Sequence, residues 1–272
     1  MNTCFFWFRR DLRLNDNTGL IAALRSHQNV QPLFIFDTNI LDKLEKNDAR
    51  VTFIWQSLKK INEELKAFDS SLLVKIGDPL TIWKELIEGN SISAVYHNSD
   101  YEPYALERDQ NVRFLLESNG IEYRKFKDHV FFEKDEILKA DGTPYTVYTP
   151  YKRKWLEKYN QTNVAIPKKE PELNAFYAKT NYEFPELTAI GFEKSKIEAP
   201  AYQLKYIEQY DLYRDYPGKA HTTEIGHHLR FGTISIRSLI YFSRSKNQTF
   251  LSELIWRDFF SQILGHFPHV ID

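Results

Sequence analysis

FFWFRRDLRLNDNTGL, residues 5–20, opens as an apolar strand and passes directly into a turn carrying Arg9, Arg10, Asp11 and Arg13. In a nucleotide-binding βα unit that turn is glycine-rich, because the backbone must come close to a pyrophosphate. Arginines here leave two readings, a solvated charged turn or a salt-bridge network that shapes the domain surface. Outward from the turn, short runs rich in Val, Ile and Phe alternate with longer stretches of helical period. The runs at 4–8, 30–36, 72–76, 92–96 and 121–126 are predicted strands, and the stretches near 17–27, 49–68, 79–89 and 103–119 are predicted helices. Gly77-Asp78-Pro79 sets a proline at the start of the third helix, and Asn119-Gly120 stops the fourth. This order predicts an α/β domain over residues 1–127, its parallel sheet covered on both faces.

The 272 residues are 42% apolar, with 20 Phe, 16 Tyr and 5 Trp, enough for a sizeable core. A net charge of −1 gives no whole-molecule attraction for nucleic acid or membranes, so any basic footprint has to be a local groove. The single cysteine, Cys4, falls inside the first strand and is read as a small buried residue, in keeping with a reducing cytoplasm. The N-terminal apolar run stops at Arg9, too short for a signal-peptide core, and no later stretch approaches a membrane span. A cytoplasmic monomer without a membrane partner is expected.

Beyond His129 the alternation ends. Residues 140–200 hold Asp141-Gly142 and Pro144, Pro150, Pro167, Pro171, Pro185 and Pro200, which predicts an interdomain connection over 128–200 with a few helical turns. From Ala201 the pattern is helical again, clearest in HLRFGTISIRSLIYFSRS (228–245) and FLSELIWRDFFSQILGHF (250–267). Residues 201–272 are therefore predicted to be an α-helical region still in progress at Asp272.

Two stretches could carry chemistry. On a helix, Glu253, Trp256, Arg257 and Phe260 share one face, while Leu254, Ile255, Phe259 and Ile263 make the other sides apolar, which predicts burial nearly all round. A carboxylate and a guanidinium in such surroundings either pair with each other at i, i+4 or face a ligand. Thr222 and Thr223 stand just before a helical period, where one caps the helix ahead of Glu224 or both help to hold a phosphate. His221, His227, His228 and His266 match no HExxH spacing, and no metal site is predicted.

Five segments together resemble the DNA photolyase and cryptochrome family: FRRDLRLNDNTGL (8–20), YHNSDYEPYALERD (96–109), DGTPYTVYTPYKRKW (141–155), YRDYPGKAHTTEIGHHLRFGTISIRSL (213–239) and LSELIWRDFFSQILGHFPHV (251–270). The resemblance is strongest to the members that act on cyclobutane pyrimidine dimers, the deoxyribodipyrimidine photolyases. It implies a Rossmann-like N-terminal domain followed by the first part of an all-α flavin-binding domain. It also implies a light-driven lyase, in which reduced FAD gives an electron to a dimer flipped out of ultraviolet-damaged DNA. On the matching positions, Glu253 becomes the lesion-contacting carboxylate, Trp256 the aromatic packed on the lesion and Arg257 a flavin-pocket arginine. Tyr210, Thr222 and Thr223 would line the FAD phosphates and ribityl chain. The opening arginines would pack the α/β domain against the helical one. An antenna chromophore, a folate, a deazaflavin or FMN, would sit in the α/β domain with Asp100 as a contact.

The chain departs from the family at Gly226, where a serine hydroxyl is expected near the flavin, and at Ile236, where proline is common. Family members also continue through further helices, so the chain is predicted to be C-terminally incomplete. Two other readings remain, a cryptochrome-like photoreceptor that signals through partners and a flavin-free α/β module that binds an antenna or a partner. Glu253 and Trp256 favour repair. Lys152-Arg153-Lys154 with Arg230, Arg237 and Arg244 are candidates for a groove that tracks DNA phosphates.

Overall fold

The computed structural model describes residues 2–162 and 177–271. Its first half consists of β1 (Thr3–Phe8), α1 (Thr18–Ser26), β2 (Val30–Asp37), the single turn α2 (Thr38–Leu41), α3 (Ala49–Lys66), β3 (Leu73–Gly77), α4 (Pro79–Gly89), β4 (Ile92–Asn98), α5 (Pro103–Ser118) and β5 (Glu122–Phe126). All pairings are parallel, in the order β3-β2-β1-β4-β5. The central strands β2, β1 and β4 are buried along nearly their whole length because both sheet faces are covered, whereas the edge strands β3 and β5 are partly exposed. Cys4, Phe6 and Phe8 pack with Leu20 of α1 and Leu58 of α3, whereas Phe5 and Trp7 pack with Trp83 of α4 and Val112 and Leu116 of α5. Helix starts are fixed by side-chain caps: Asn17 accepts from the Leu20 amide at 3.2 Å, Asp48 from that of Arg50 at 2.7 Å and Asp78 from that of Thr81 at 2.9 Å. The α/β fold class is as the alternation predicts.

A third apolar cluster holds the rest of the chain together. Phe131 and Phe132 join Tyr151, Trp155 and Tyr159 of α6 (Tyr148–Gln161), then Leu229 of α8 (Gly226–Arg230), Ile236 and Ile240 of α9 (Ile236–Arg244), and Leu254, Ile255 and Phe259 of α10 (Gln248–His266). A further single turn, α7 (Tyr210–Tyr213), precedes α8. The stretch predicted as a connection is thus divided by its packing. Its first part contributes the 14-residue helix α6 to the helical core. Tyr177, Leu187, Ile190 and Phe192, in its last part, pack against the sheet. Pro150 does not interrupt α6, because it lies in the first turn, where its missing N–H has no intrahelical partner. Pro167 and Pro171 lie outside the described residues.

The opening turn is where the two halves meet. The Leu12 amide donates to the Phe231 carbonyl at 3.0 Å, and Gly232, at φ +64°, lies so close to the Arg10 carbonyl that a Cβ would overlap it. Arg13 donates to the Gly232 carbonyl at 2.9 Å and pairs with Asp128 at 2.7 Å. Arg237 of α9 pairs with the same Asp128 and with Asp16, each at 2.8 Å, and Ser235 donates to Asp16. Arg9 pairs with Asp109 and donates to the Asn98 carbonyl. The reading of a solvated turn is therefore replaced by a buried network: Arg9 and Arg13 side chains are 6% and 10% exposed. Burial alone would raise the Asp128 pKa, but Arg13 and Arg237 outweigh it and hold it at about 2.

Candidate functional site

Helix α10 is anchored on one side by a buried carboxylate that sequence reasoning passed over. Asp258 accepts from the amides of Phe131 and Phe132 at 3.2 and 3.1 Å and from the Trp155 indole at 3.0 Å. That fixes the helix rotation and turns Glu253, Trp256, Arg257 and Phe260 toward an open cleft of about 530 Å³. The prediction of a helix buried nearly all round is corrected here, since Phe260 is 62% exposed. Apolar residues on every side of α10 do not imply protein on every side.

The Glu253–Arg257 pair considered from the spacing is absent. Glu253 instead accepts from Arg214, the residue just after α7, at 2.5 Å. Arg257 donates to the carbonyls of His129 and Leu229 at 2.5 and 3.3 Å and to the His129 imidazole at 2.7 Å. Among the described residues no carboxylate pairs with it, and burial pushes its pKa down. His129 is pushed well down, first by burial and then by Arg257, so it stays neutral and accepts through Nε2. Trp256 lies flat on Tyr148, ring centroids 3.5 Å apart and planes 8° from parallel.

The other sites predicted from sequence are not all in this cleft. Tyr210 packs edge-on to Phe250 at 5.0 Å beneath the Arg214 guanidinium at 5.4 Å, which connects it to Glu253 through Arg214. Thr222 is exposed; Thr223 is buried, its carbonyl accepting from the Gln203 amide at 2.7 Å. Neither threonine caps a helix, which corrects that alternative: α8 begins at Gly226 with Ile225 at its N-cap and no side-chain cap. Gly226 itself borders the cleft.

Asp100 lies in a second cavity, of about 440 Å³, walled by Trp7, Phe34, Phe36, Ile54 and Tyr104. It opens at the carboxyl ends of β1 and β2, beside the point where the strand order turns from β2 and β3 on one side of β1 to β4 and β5 on the other, the usual crevice of an open parallel sheet. Burial opposes ionisation of Asp100, yet Arg10, with Nε 3.5 Å away, and Arg9 bring its pKa to about 2. At the rim, Tyr104 donates to Asp37 at 2.6 Å. Arg230, paired with Glu102 at 2.9 Å, borders both cavities. Tyr148, Arg214 and His129 were not singled out from the sequence. For Tyr148 a signal existed, the aromatic series 148, 151, 155 and 159 at helical spacing.

Residues 4–172 match the DNA photolyase family. The chain belongs to it. A deoxyribodipyrimidine photo-lyase from Synechococcus is 32% identical to this photolyase-family chain over 98% of its length. The crystal structure of a class III photolyase from Agrobacterium tumefaciens superimposes with a TM-score of 0.81 at 25% identity over 99% of the chain. An archaeal photolyase from Sulfolobus tokodaii, solved with two FAD molecules and linked to a novel light-harvesting cofactor, superimposes with a TM-score of 0.74 at 30% identity over 98% of the chain. The chain spans about three fifths of each of these photolyases, 61%, 60% and 60% in that order.

Proposed function

We propose that the chain supplies the α/β half and the first part of the flavin-binding half of a deoxyribodipyrimidine photolyase, acting on cyclobutane pyrimidine dimers in ultraviolet-damaged DNA. The observation that supports this most directly is the α10 ridge, where a carboxylate, an indole and an arginine that has no carboxylate partner among the described residues border one open cleft. A flipped dimer is read by polar contacts to its base edges and by stacking, since its bases pair and stack poorly in the duplex. Glu253 would accept from the thymine edge after exchanging its bond to Arg214, and Trp256 offers the flat apolar surface. Arg257, hydrogen-bonded among the described residues to carbonyls and an imidazole, suits the anionic parts of FAD, with Tyr210, Thr222 and Thr223 as further contacts. Reduced FAD, when bound, supplies the electron that opens the cyclobutane ring under light.

The reading also gives the second cavity a role. Its aromatic and aliphatic walls suit a planar antenna chromophore, a folate, a deazaflavin or FMN, with Asp100 and Arg10 at its polar edge.

The decisive experiment is binding of a duplex carrying one cyclobutane dimer against the same undamaged duplex. A preference for the damaged duplex that disappears in Trp256→Ala and shrinks in Glu253→Gln is expected; equal affinity of the unaltered chain for both duplexes would overturn the lesion-reading role. Absorbance after offering FAD, FMN, a folate or a deazaflavin and removing unbound ligand reports each cofactor separately.

A further inference from the structure

Trp256 borders the cleft on a helix whose outer face is open, and an indole in that situation has several rotamers within reach. Its plane is nevertheless fixed by a residue from a different element. Tyr148, the first residue of α6, stacks on it at 3.5 Å and 8°. The phenol is in turn tied to α10: its hydroxyl donates to the Ser252 carbonyl at 2.7 Å and lies 2.7 Å from the Ser252 hydroxyl, one turn before Trp256. Lys152, one turn along α6, donates to the same Ser252 hydroxyl at 3.0 Å. Phe259 closes the corner edge-on, 5.8 Å from Tyr148 and 5.6 Å from Trp256. Phe260, one turn further along α10, also stacks on the indole, with centroids 5.3 Å apart and planes at 23°, so Tyr148 is the stacking partner that a different element brings to Trp256.

We infer that Tyr148 is a positioning residue for Trp256, holding the indole in the orientation in which it receives a flat base surface. This rests on the lesion-reading role proposed above. A stacking ring that is already immobilised does not have to be ordered when its ligand arrives, and that ordering otherwise subtracts from affinity. The phenol does not border the cleft itself. It acts through Trp256, and through the flat ring more than through the hydroxyl.

Three variants test this. Tyr148→Leu keeps an apolar side chain of moderate volume but removes the flat ring, Tyr148→Phe keeps the ring without its anchor, and Tyr148→Trp offers a larger ring. The first readout is the indole N–H resonance of Trp256, assigned by its loss in Trp256→Phe. It is expected to be single and ring-current-shifted in the unaltered chain and in Tyr148→Phe, and to move and broaden in Tyr148→Leu. The second readout is DNA binding. Tyr148→Leu is expected to lower affinity for the dimer-containing duplex about three- to tenfold while leaving undamaged DNA unchanged, with recovery in Tyr148→Phe or Tyr148→Trp. An indole signal in Tyr148→Leu as sharp and as shifted as in the unaltered chain overturns the inference, as does an equal loss of affinity for both duplexes. If the indole responds as expected while the unaltered chain binds both duplexes alike, the hold of Tyr148 on Trp256 is supported and the lesion-reading role is what fails.

Discussion

A carboxylate sealed from water is tolerable only when donors surround it, and Asp258 and Asp128 solve that problem in opposite ways. Asp258 has three neutral donors, and burial still raises its pKa above the ordinary carboxylate value. Its folded-state pKa is the higher one, so its contribution is fullest in acid and declines as pH rises through the unfolded value. Asp258→Ala strands three buried donors and is expected to cost about 3 kcal/mol or more, read from urea denaturation. Asp128 has two guanidiniums and a folded pKa of about 2. Its contribution is present above the unfolded value near ~4 and is lost as pH falls toward the folded one, a swing of roughly 2 kcal/mol. The urea midpoint should therefore fall between about pH 4 and pH 2, and Asp128→Asn should flatten that fall while weakening the fold at neutral pH. The ridge residues Glu253, Trp256 and Arg257 were legible in the sequence because helical period alone sets them on one face. Their partners were not, since Arg214 is 39 residues from Glu253 and His129 is 128 from Arg257, separations that periodicity cannot bridge.

Among the elements, the central strands β1, β2 and β4 are buried on both faces and write themselves as mainly apolar runs, which made them readable in the sequence, whereas the edge strands β3 and β5 carry exposed, charged positions. Helix α6 was not readable in that way. Its proline and polar residues read as a connection, and only Tyr151, Trp155 and Tyr159, all buried, mark the stripe that faces α10. Helix α9 is capped by Ser235, whose hydroxyl accepts from the Ser238 amide at 3.3 Å and donates to Asp16. Ser235→Ala removes the cap and a bond to the α/β half together, and a loss of about 1–2 kcal/mol is expected in chemical denaturation. Ser238→Ala, which removes only a 3.3 Å bond to Asp16, should cost less.

At the scale of the molecule, the arginines that replace a glycine-rich loop are structural. Arg13 and Arg237 share Asp128, and Arg10 and Arg230 share Glu102, so each pair spans the α/β half and the helical half through one carboxylate. Arg13→Ala leaves Asp128 with a single cation and is expected to cost about 3 kcal/mol. Combined with Arg10→Ala it should lower the thermal midpoint and speed limited proteolysis within residues 128–200; unchanged melting and unchanged cleavage would count against the clamp. Gly232→Ala faces both a positive φ and the Arg10 carbonyl, so it should separate the halves more severely than either arginine change. The contact between Leu12 and Phe231 also carries an implication for biosynthesis. A chain emerging from the ribosome can assemble its sheet once β5 has cleared the exit tunnel, N-terminal unit first. Its twelfth residue, however, must wait for the two-hundred-and-thirty-first before it finds its mate. For that interval the arginines of the turn already have Asp109, Glu102 and Asp128, but the Leu12 amide and Asp16 still lack the partners that residues 231–237 bring, and this is the moment at which a protease would find its easiest grip.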